Sequence, residues 1–157
     1  MQDSAFVHLQ CQSEYSVKNS LVRVPKLIEA VKQAGMNSIA ITDDINLFSA
    51  VKFYQKARAK GVKPLFGAKM SLSSPEGRYD VLLLCQNHQG YLNLSELISK
   101  SYLNKQGIEG PSITEEQLEN HHHGLLHIAS PVSSDIARLL LANEATLARE
   151  KAAKWQG

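Results

Sequence analysis

Apolar residues first gather in Phe6–Cys11 of "FVHLQCQSEYS", a short run that predicts a strand. In "VPKLIEAVKQAG" the positions Leu27, Ile28, Val31 and Ala34 recur at helical spacing, so one helix face is expected to be buried. Pro25 suits the first turn, where a missing N–H costs nothing, and Gly35 suits the stop. "SIAIT", Ser38 to Thr42, reads as a buried strand. "NLFSAVKFYQKARAKG" returns to the helical period, with Leu47, Ala50, Val51, Tyr54 and Ala57 expected inward and Gly61 at the end.

"VKPLFGAKMSL" is strand-like, but Pro64 cannot donate to a ladder and Gly67 has no side chain to pack. Both argue against a fully paired interior position. "SSPEGR" is a turn and "YDVLLLCQN" a returning strand, so the two predict a hairpin-like pair. "GYLNLSELISKSY" forms a third helix with Leu92, Leu94, Leu97, Ile98 and Tyr102 apolar. "SITEEQLEN" carries a helix-start signature, with Ser112 or Thr114 as cap and Glu115, Glu116 and Gln117 in the first turn. "GLLHIAS" is another strand, followed by a helix around Ser134 to Leu141. "LANEATLAREKAAKWQG" is helical and no strand follows it, so the chain is expected to end inside a larger polypeptide.

This alternation predicts an α/β architecture with mostly parallel strands and right-handed crossovers. Polar residues gather beyond the strand ends at Thr42-Asp43-Asp44, Gln86-Asn87-His88 and Ser130, where parallel α/β folds bind ligands. Asn87 and Ser130 read as helix caps. Asp43 and Asp44 stand open between cap and ligand.

Composition narrows the choice. The chain has 157 residues, 43% apolar, with 17 Lys+Arg against 15 Asp+Glu, a net charge of +2. That balance argues against nucleic-acid or membrane binding through bulk charge. No apolar run approaches the ~20 residues that span a bilayer, and no signal peptide opens the chain. Cys11 and Cys85 lie in apolar contexts and read as buried thiols of a cytoplasmic protein. His121-His122-His123 falls in a polar stretch and reads as a solvated loop, with His127 a core or pocket residue. Lys52, Lys56, Arg58, Lys60 and Lys63 read as a solvated face. No phosphate-binding Gly-rich loop or nucleophile triad is present.

Three stretches in order, "FVHLQCQSEYS", "AITDDINLFSAVKFYQKARAKGVKPLFGA" and "GYLNLSELISKSY", resemble the polymerase-and-histidinol-phosphatase (PHP) domain at the N-terminus of bacterial DNA polymerase III alpha subunits. The resemblance implies a distorted seven-stranded β/α barrel with metals at the strand C-termini. The 157 residues would then be a single PHP-type domain fragment, the N-terminal half or somewhat more.

It also assigns a relic metal pocket, one position at a time. Gln10 and Gln12 occupy both places of the first strand's His-x-His pair, and His8 lies two residues earlier. Asp43 matches the family aspartate, and Asp44 stands where a histidine is usual. Lys69 falls where a carboxylate ligand is expected, and Asp80 replaces another histidine. Carboxamides are poor zinc donors. A fixed ammonium repels a cation: two unit charges ~4 Å apart cost about 4 kcal/mol at an effective dielectric near 20. The sequence therefore predicts no metal or other cofactor and no catalytic residue. Lys69 is expected to neutralise Asp43, Asp44 or Asp80, with Gln10 and Gln12 bridging by hydrogen bonds.

The implied function is a structural and partner-docking module of DNA replication. Its partners would be the rest of the polymerase alpha subunit and a proofreading exonuclease subunit. DNA would be met only through the full subunit, and no membrane is involved. The alternative is a metal-dependent phosphoesterase with proofreading or pyrophosphatase activity. A partial barrel would expose strand edges, favouring self-association or lower stability.

Overall fold

The computed structural model describes residues 6–75, 77–104, 110–130 and 133–155. Helix α1 spans Val24–Gln33, strand β1 Ser38–Asp44, helix α2 Ala50–Ala59, strand β2 Lys63–Ser74 and strand β3 Gly77–Cys85. Helix α3 (His88–Leu103), the short β4 (Ile113–Thr114), α4 (Glu115–Asn120), β5 (Leu125–Ala129), α5 (Asp135–Leu141) and α6 (Ala145–Lys154) follow. Among these residues the strands form one sheet in the order β1-β2-β3-β5, with β4 beside the far end of β2. The expected α/β class is present.

The strand directions depart from a mostly parallel barrel. The β1/β2 and β2/β4 pairs are parallel, whereas β2/β3 and β3/β5 are antiparallel. The cause is the tight connection around Ser74 to Gly77, which turns β2 straight back into β3 as the hairpin the sequence predicts. Glu76 of that turn lies outside the described residues. Because β3 is reversed, Gln86-Asn87-His88 sits at the opposite end of the sheet from Asp43-Asp44. The three polar groups do not share one rim.

β2 is the central strand, against expectation. It pairs with β1 through Lys63–Lys69 and with β3 through Gly67–Ser74. Gly67 does not weaken this place; it permits it. A Cβ there would lie 2.4 Å from Leu83 O and 2.6 Å from Leu84 Cδ2. The bare backbone marks a close strand approach.

Side chains alternate across the sheet. Ala68, Met70, Leu72, Tyr79, Val81 and Leu83 face one core with Leu94 and Leu97 of α3. Ile39 and Ile41 of β1 face a second core with Val24, Ile28 and Val31 of α1 and Phe53 and Ala57 of α2. Two helix faces differ from the sequence expectation. Ala34 is the exposed C-cap residue of α1. In α2 the buried pair is Phe53 and Ala57, while Val51 and Tyr54 are 70% and 50% exposed. One helical turn separates Phe53 from Ala57, and Val51 lies on the far side of that turn.

The expected first strand is an extended segment without a regular ladder. Its links to β1 are Ala40 N to His8 O (2.9 Å) and Thr42 N to Cys11 O (2.7 Å). Three residues separate the acceptors and two the donors, so one residue bulges out and the ladder breaks. Helix starts follow the sequence more closely. Thr114 caps α4 in a reciprocal box with Gln117 and Asn87 caps α3 through Gly90 N, but α5 is capped by Ser134 through Ala137 N and not by the expected Ser130, which lies four residues too early. Among the described residues no helix is long and apolar enough to cross a membrane.

Candidate functional site

Alternation along β1 separates its two neighbouring aspartates. Asp43 turns to the helix-bearing face with Ile39 and Ile41, and Asp44 to the opposite face. Residues of β2 and β3 with the same parity as Asp44, namely Lys69, Ser71 and Asp80, line the same side.

On that side Lys69 forms a bridge across three strands. Its Nζ lies 3.3 Å from Asp44 Oδ1 on β1 and 3.2 Å from Asp80 Oδ2 on β3. Ser71 Oγ donates to the other Asp80 oxygen at 3.0 Å, and Asn19 Nδ2 donates to Asp44 Oδ2 at 3.2 Å. Burial opposes the Lys69 charge, but Asp80 and Asp44 outweigh it and hold the ammonium pKa above its ordinary value. A polar pocket of about 480 Å³ opens beside the bridge, with Lys18 and Arg78 also on its wall. Arg78 is held by the carbonyls of Gly110 and Pro111.

Asp43 makes a separate, closed site. It is 1% exposed and accepts from Ser13 N (2.6 Å), Ser13 Oγ (2.8 Å to Oδ2), Ser16 Oγ (2.7 Å) and Ser49 Oγ (2.6 Å). Its carboxylate ties the N-terminal segment and the start of α2 to β1. Glu14 extends the tie: it accepts from Val24 N at 2.8 Å, at the start of α1, and pairs with Lys52 of α2 at 2.7 Å. Sequence reasoning passed over Ser13, Ser16 and Ser49. The signal available was three small hydroxyls flanking a buried acidic strand end.

The remaining positions do not join Lys69 as expected. Gln10 lines a smaller cavity with Lys69 and Asp80, yet among the described residues neither its side chain nor that of Gln12 makes a hydrogen bond. Amides on a bulged segment lack the fixed direction that bridging requires. His8 is exposed and packs edge-on against Phe6, ring centroids 4.7 Å apart. Cys11 and Cys85 are free thiols, and burial pushes Cys85 up to about 11. His121 is half-buried and not simply solvated: its Nε2 lies 3.1 Å from Glu96 and its Nδ1 2.8 Å from Gln117 O.

With this geometry in place, comparison with known proteins identifies the fold and its kin. The chain matches the PHP domain over residues 8–157. It is 34% identical to DNA polymerase III subunit alpha of Xylella fastidiosa over 99% of this chain, and 39% identical to that of Vibrio cholerae over 90%. The Escherichia coli K12 protein of the same name is 33% identical over 99%. The chain spans only 14% of the Xylella and Escherichia relatives and 12% of the Vibrio one. Among solved structures, a metal-dependent phosphoesterase from Bifidobacterium adolescentis aligns with a TM-score of 0.51 at 14% identity, covering 65% of this chain and 35% of that one. An amidohydrolase from Chromobacterium violaceum, solved with bound sulfate and no metal, aligns at 0.52 and 15%, covering 64% and 34%.

The fold neighbours correct one expectation. The reading that this domain takes no cofactor rested on Gln10, Gln12 and Lys69, but the fold is shared with a metal-dependent phosphoesterase. Other residues at four histidine positions, Gln10, Gln12, Asp44 and Asp80, do not remove a chain from that fold. The side chains named above do not by themselves make a ligand set: Asp43 is filled by hydroxyls, Asp44 and Asp80 face an ammonium, and among the described residues no three His, Cys, Asp or Glu side chains converge. The sequence match across the chain and the shared α/β fold agree, and the chain belongs to the PHP domain family.

Proposed function

We propose that this chain serves DNA replication as the PHP portion of a polymerase alpha subunit, acting as a structural and partner-docking module. Similarity to DNA polymerase III subunit alpha over 99% of the chain carries the reading. The Lys69 bridge supports the structural part, since one ammonium joins β1, β2 and β3 on the face where a ligand pocket opens. The partners are the polymerase body and a proofreading exonuclease subunit, and DNA is met only through the assembled subunit. The test is calorimetry of the chain with each partner from one source. Saturable binding to either supports docking; no binding to both overturns it.

The phosphoesterase neighbour favours a second reading, metal-dependent hydrolysis of a phosphoester by this domain. Turnover of a phosphodiester or of pyrophosphate with manganese or zinc, abolished by a chelator, selects that reading. Turnover insensitive to the chelator, or none, leaves docking as the function.

A further inference from the structure

A second group of titratable side chains lies on the other face of the sheet, away from Lys69. His127 of β5 stands in register with Leu83 of β3. Its Nε2 is buried and makes no hydrogen bond, and its ring packs against Trp155 at the end of α6, centroids 4.8 Å apart. Trp155 in turn packs on the core formed by Tyr79, Val81 and Leu83. Around this contact, Lys151 of α6 lies 2.9 Å from Glu115 of α4 and 3.6 Å from Asp135 of α5. Tyr79 Oη donates to Glu115 at 3.0 Å. That Asp135 oxygen, Oδ2, is sealed from solvent and makes no hydrogen bond, so Lys151 is its charge partner, while Oδ1 accepts from Ile136 N at 2.8 Å.

From this arrangement we infer that His127 and Trp155 form a pH-sensitive latch, in which protonation of His127 releases α6 from the sheet. Neutral imidazole fits a site that offers its Nε2 no partner. The charged ring needs solvation there, and Trp155 stands in the way. Asp135 of α5 is the charge that acts on His127, while burial holds the imidazole pKa below its usual value. α6 brings Lys151, already engaged by Glu115 and Asp135. β3 brings Leu83 and Tyr79, and α3 brings no charge that acts on the ring. Protonated His127 and Lys151 would compete for the same Asp135 carboxylate, so one proton weakens two holds on α6 together.

Release has a consequence for the surface. A cavity of about 480 Å³ lies between the β2–β3 hairpin and α5–α6, walled by Leu139, Ala142 and Leu147. Ala142 and Leu147 already meet solvent there, and lifting α6 additionally uncovers Ala148, which is buried in the docked state.

The sign follows from linkage. A histidine whose folded pKa is depressed stabilises the docked state above its ordinary value of ~6.5 and loses that contribution as pH falls. Trp155 is the single tryptophan of the chain, so its fluorescence reports the latch directly. Emission of this chain, titrated from about pH 8 to about pH 5, is expected to shift red and weaken, with a midpoint below ~6.5. In His127→Phe the transition should vanish. His127→Leu, a smaller apolar side chain, should abolish it as well. Hydrogen exchange should show α6 opening about tenfold more for each pH unit between the two pKa values, relative to His127→Phe. A flat emission profile overturns the latch. So does a transition that persists in His127→Phe, or a loss of protection that strikes α3 and the sheet equally. Should His127→Phe fail to fold, His127→Leu decides: a transition that persists there rejects the latch and a flat profile supports it.

Discussion

Lys69 and Asp80 meet on a diagonal. Their charged atoms are 3.2 Å apart although Lys69 is registered with Leu82 and Asp80 with Ser71. A long side chain spans the ~7–8 Å diagonal between antiparallel strands, and it leaves Ser71 free to bind the other oxygen. The same ammonium reaches Asp44 on the parallel neighbour. A central strand flanked by one parallel and one antiparallel partner thus gathers both carboxylates around one cation.

Replacing that cation tests how much the bridge holds. In Lys69→Met the stem still packs, and only the charge is lost. The Lys69 side chain is 24% exposed and those of Asp44 and Asp80 34% and 37%, so water screens both pairs. The expected loss is about 1 kcal/mol by urea denaturation. A loss above about 3 kcal/mol would mark the pairs as effectively desolvated.

The same variant carries a pH signature. Burial lowers the Lys69 pKa, Asp80 and Asp44 raise it by more, and the folded value ends above the unfolded one. The bridge therefore contributes fully below the unfolded pKa of ~10.4 and is lost as pH rises through the higher folded value. The stability difference between the parent chain and Lys69→Met should be steady near about pH 9 and shrink above ~10.4. Denaturation curves at both ends measure it, and a gap that widens with alkali contradicts the assignment.

Much of this was legible in the sequence, and the failures share a cause. Thr114 and Asn87 showed themselves because a cap is chemistry within four residues of itself, whereas the cap expected at Ser130 falls at Ser134. The hairpin showed itself in "SSPEGR" for the same reason. Gly67 misled because a glycine weakens a strand in isolation, and only the neighbouring Leu83 carbonyl reveals the close approach it permits. Phe53 was missed because Val51 and Tyr54 completed an equally apolar stripe, and α1 chose between the two faces. At the site, a run of "TDD" gives no hint that alternation sends Asp43 to the serines and Asp44 to Lys69. That outcome depends on which strand face each helix covers.

Gly67→Ala tests the close approach. The added carbon meets a backbone oxygen at 2.4 Å, and backbone cannot swing aside as the end of a side chain can. Strands β2 and β3 must separate locally, for an expected cost of about 1–3 kcal/mol. Gly110→Ala meets no atom within 4 Å but has a φ of +81°. Its cost is backbone strain alone, of order 1 kcal/mol. Thermal denaturation of the pair separates crowding from strain, and equal losses would remove the crowding argument.

Asp43 is where the largest loss is expected. Its carboxylate collects one amide and three hydroxyls in a buried setting, joining the N-terminal segment, β1 and the start of α2. In Asp43→Ala these donors face apolar space, and the Ser13 amide cannot reorient. The expected cost is about 3 kcal/mol or more. Asp43→Asn should cost clearly less. Its oxygen can keep the Ser13 amide and Ser16, while its NH2 faces Ser13 Oγ and Ser49 Oγ, hydroxyls able to turn and accept. Ser49→Ala removes a single donor and should cost about 1 kcal/mol. Denaturation gives the ranking, and exchange of the Ser13 amide localises it: that proton should exchange faster in Asp43→Ala than in Asp43→Asn. Equal losses in the alanine and asparagine variants would mean that charge, not the donor pattern, holds the segment, and the hydroxyl-turning argument would be wrong.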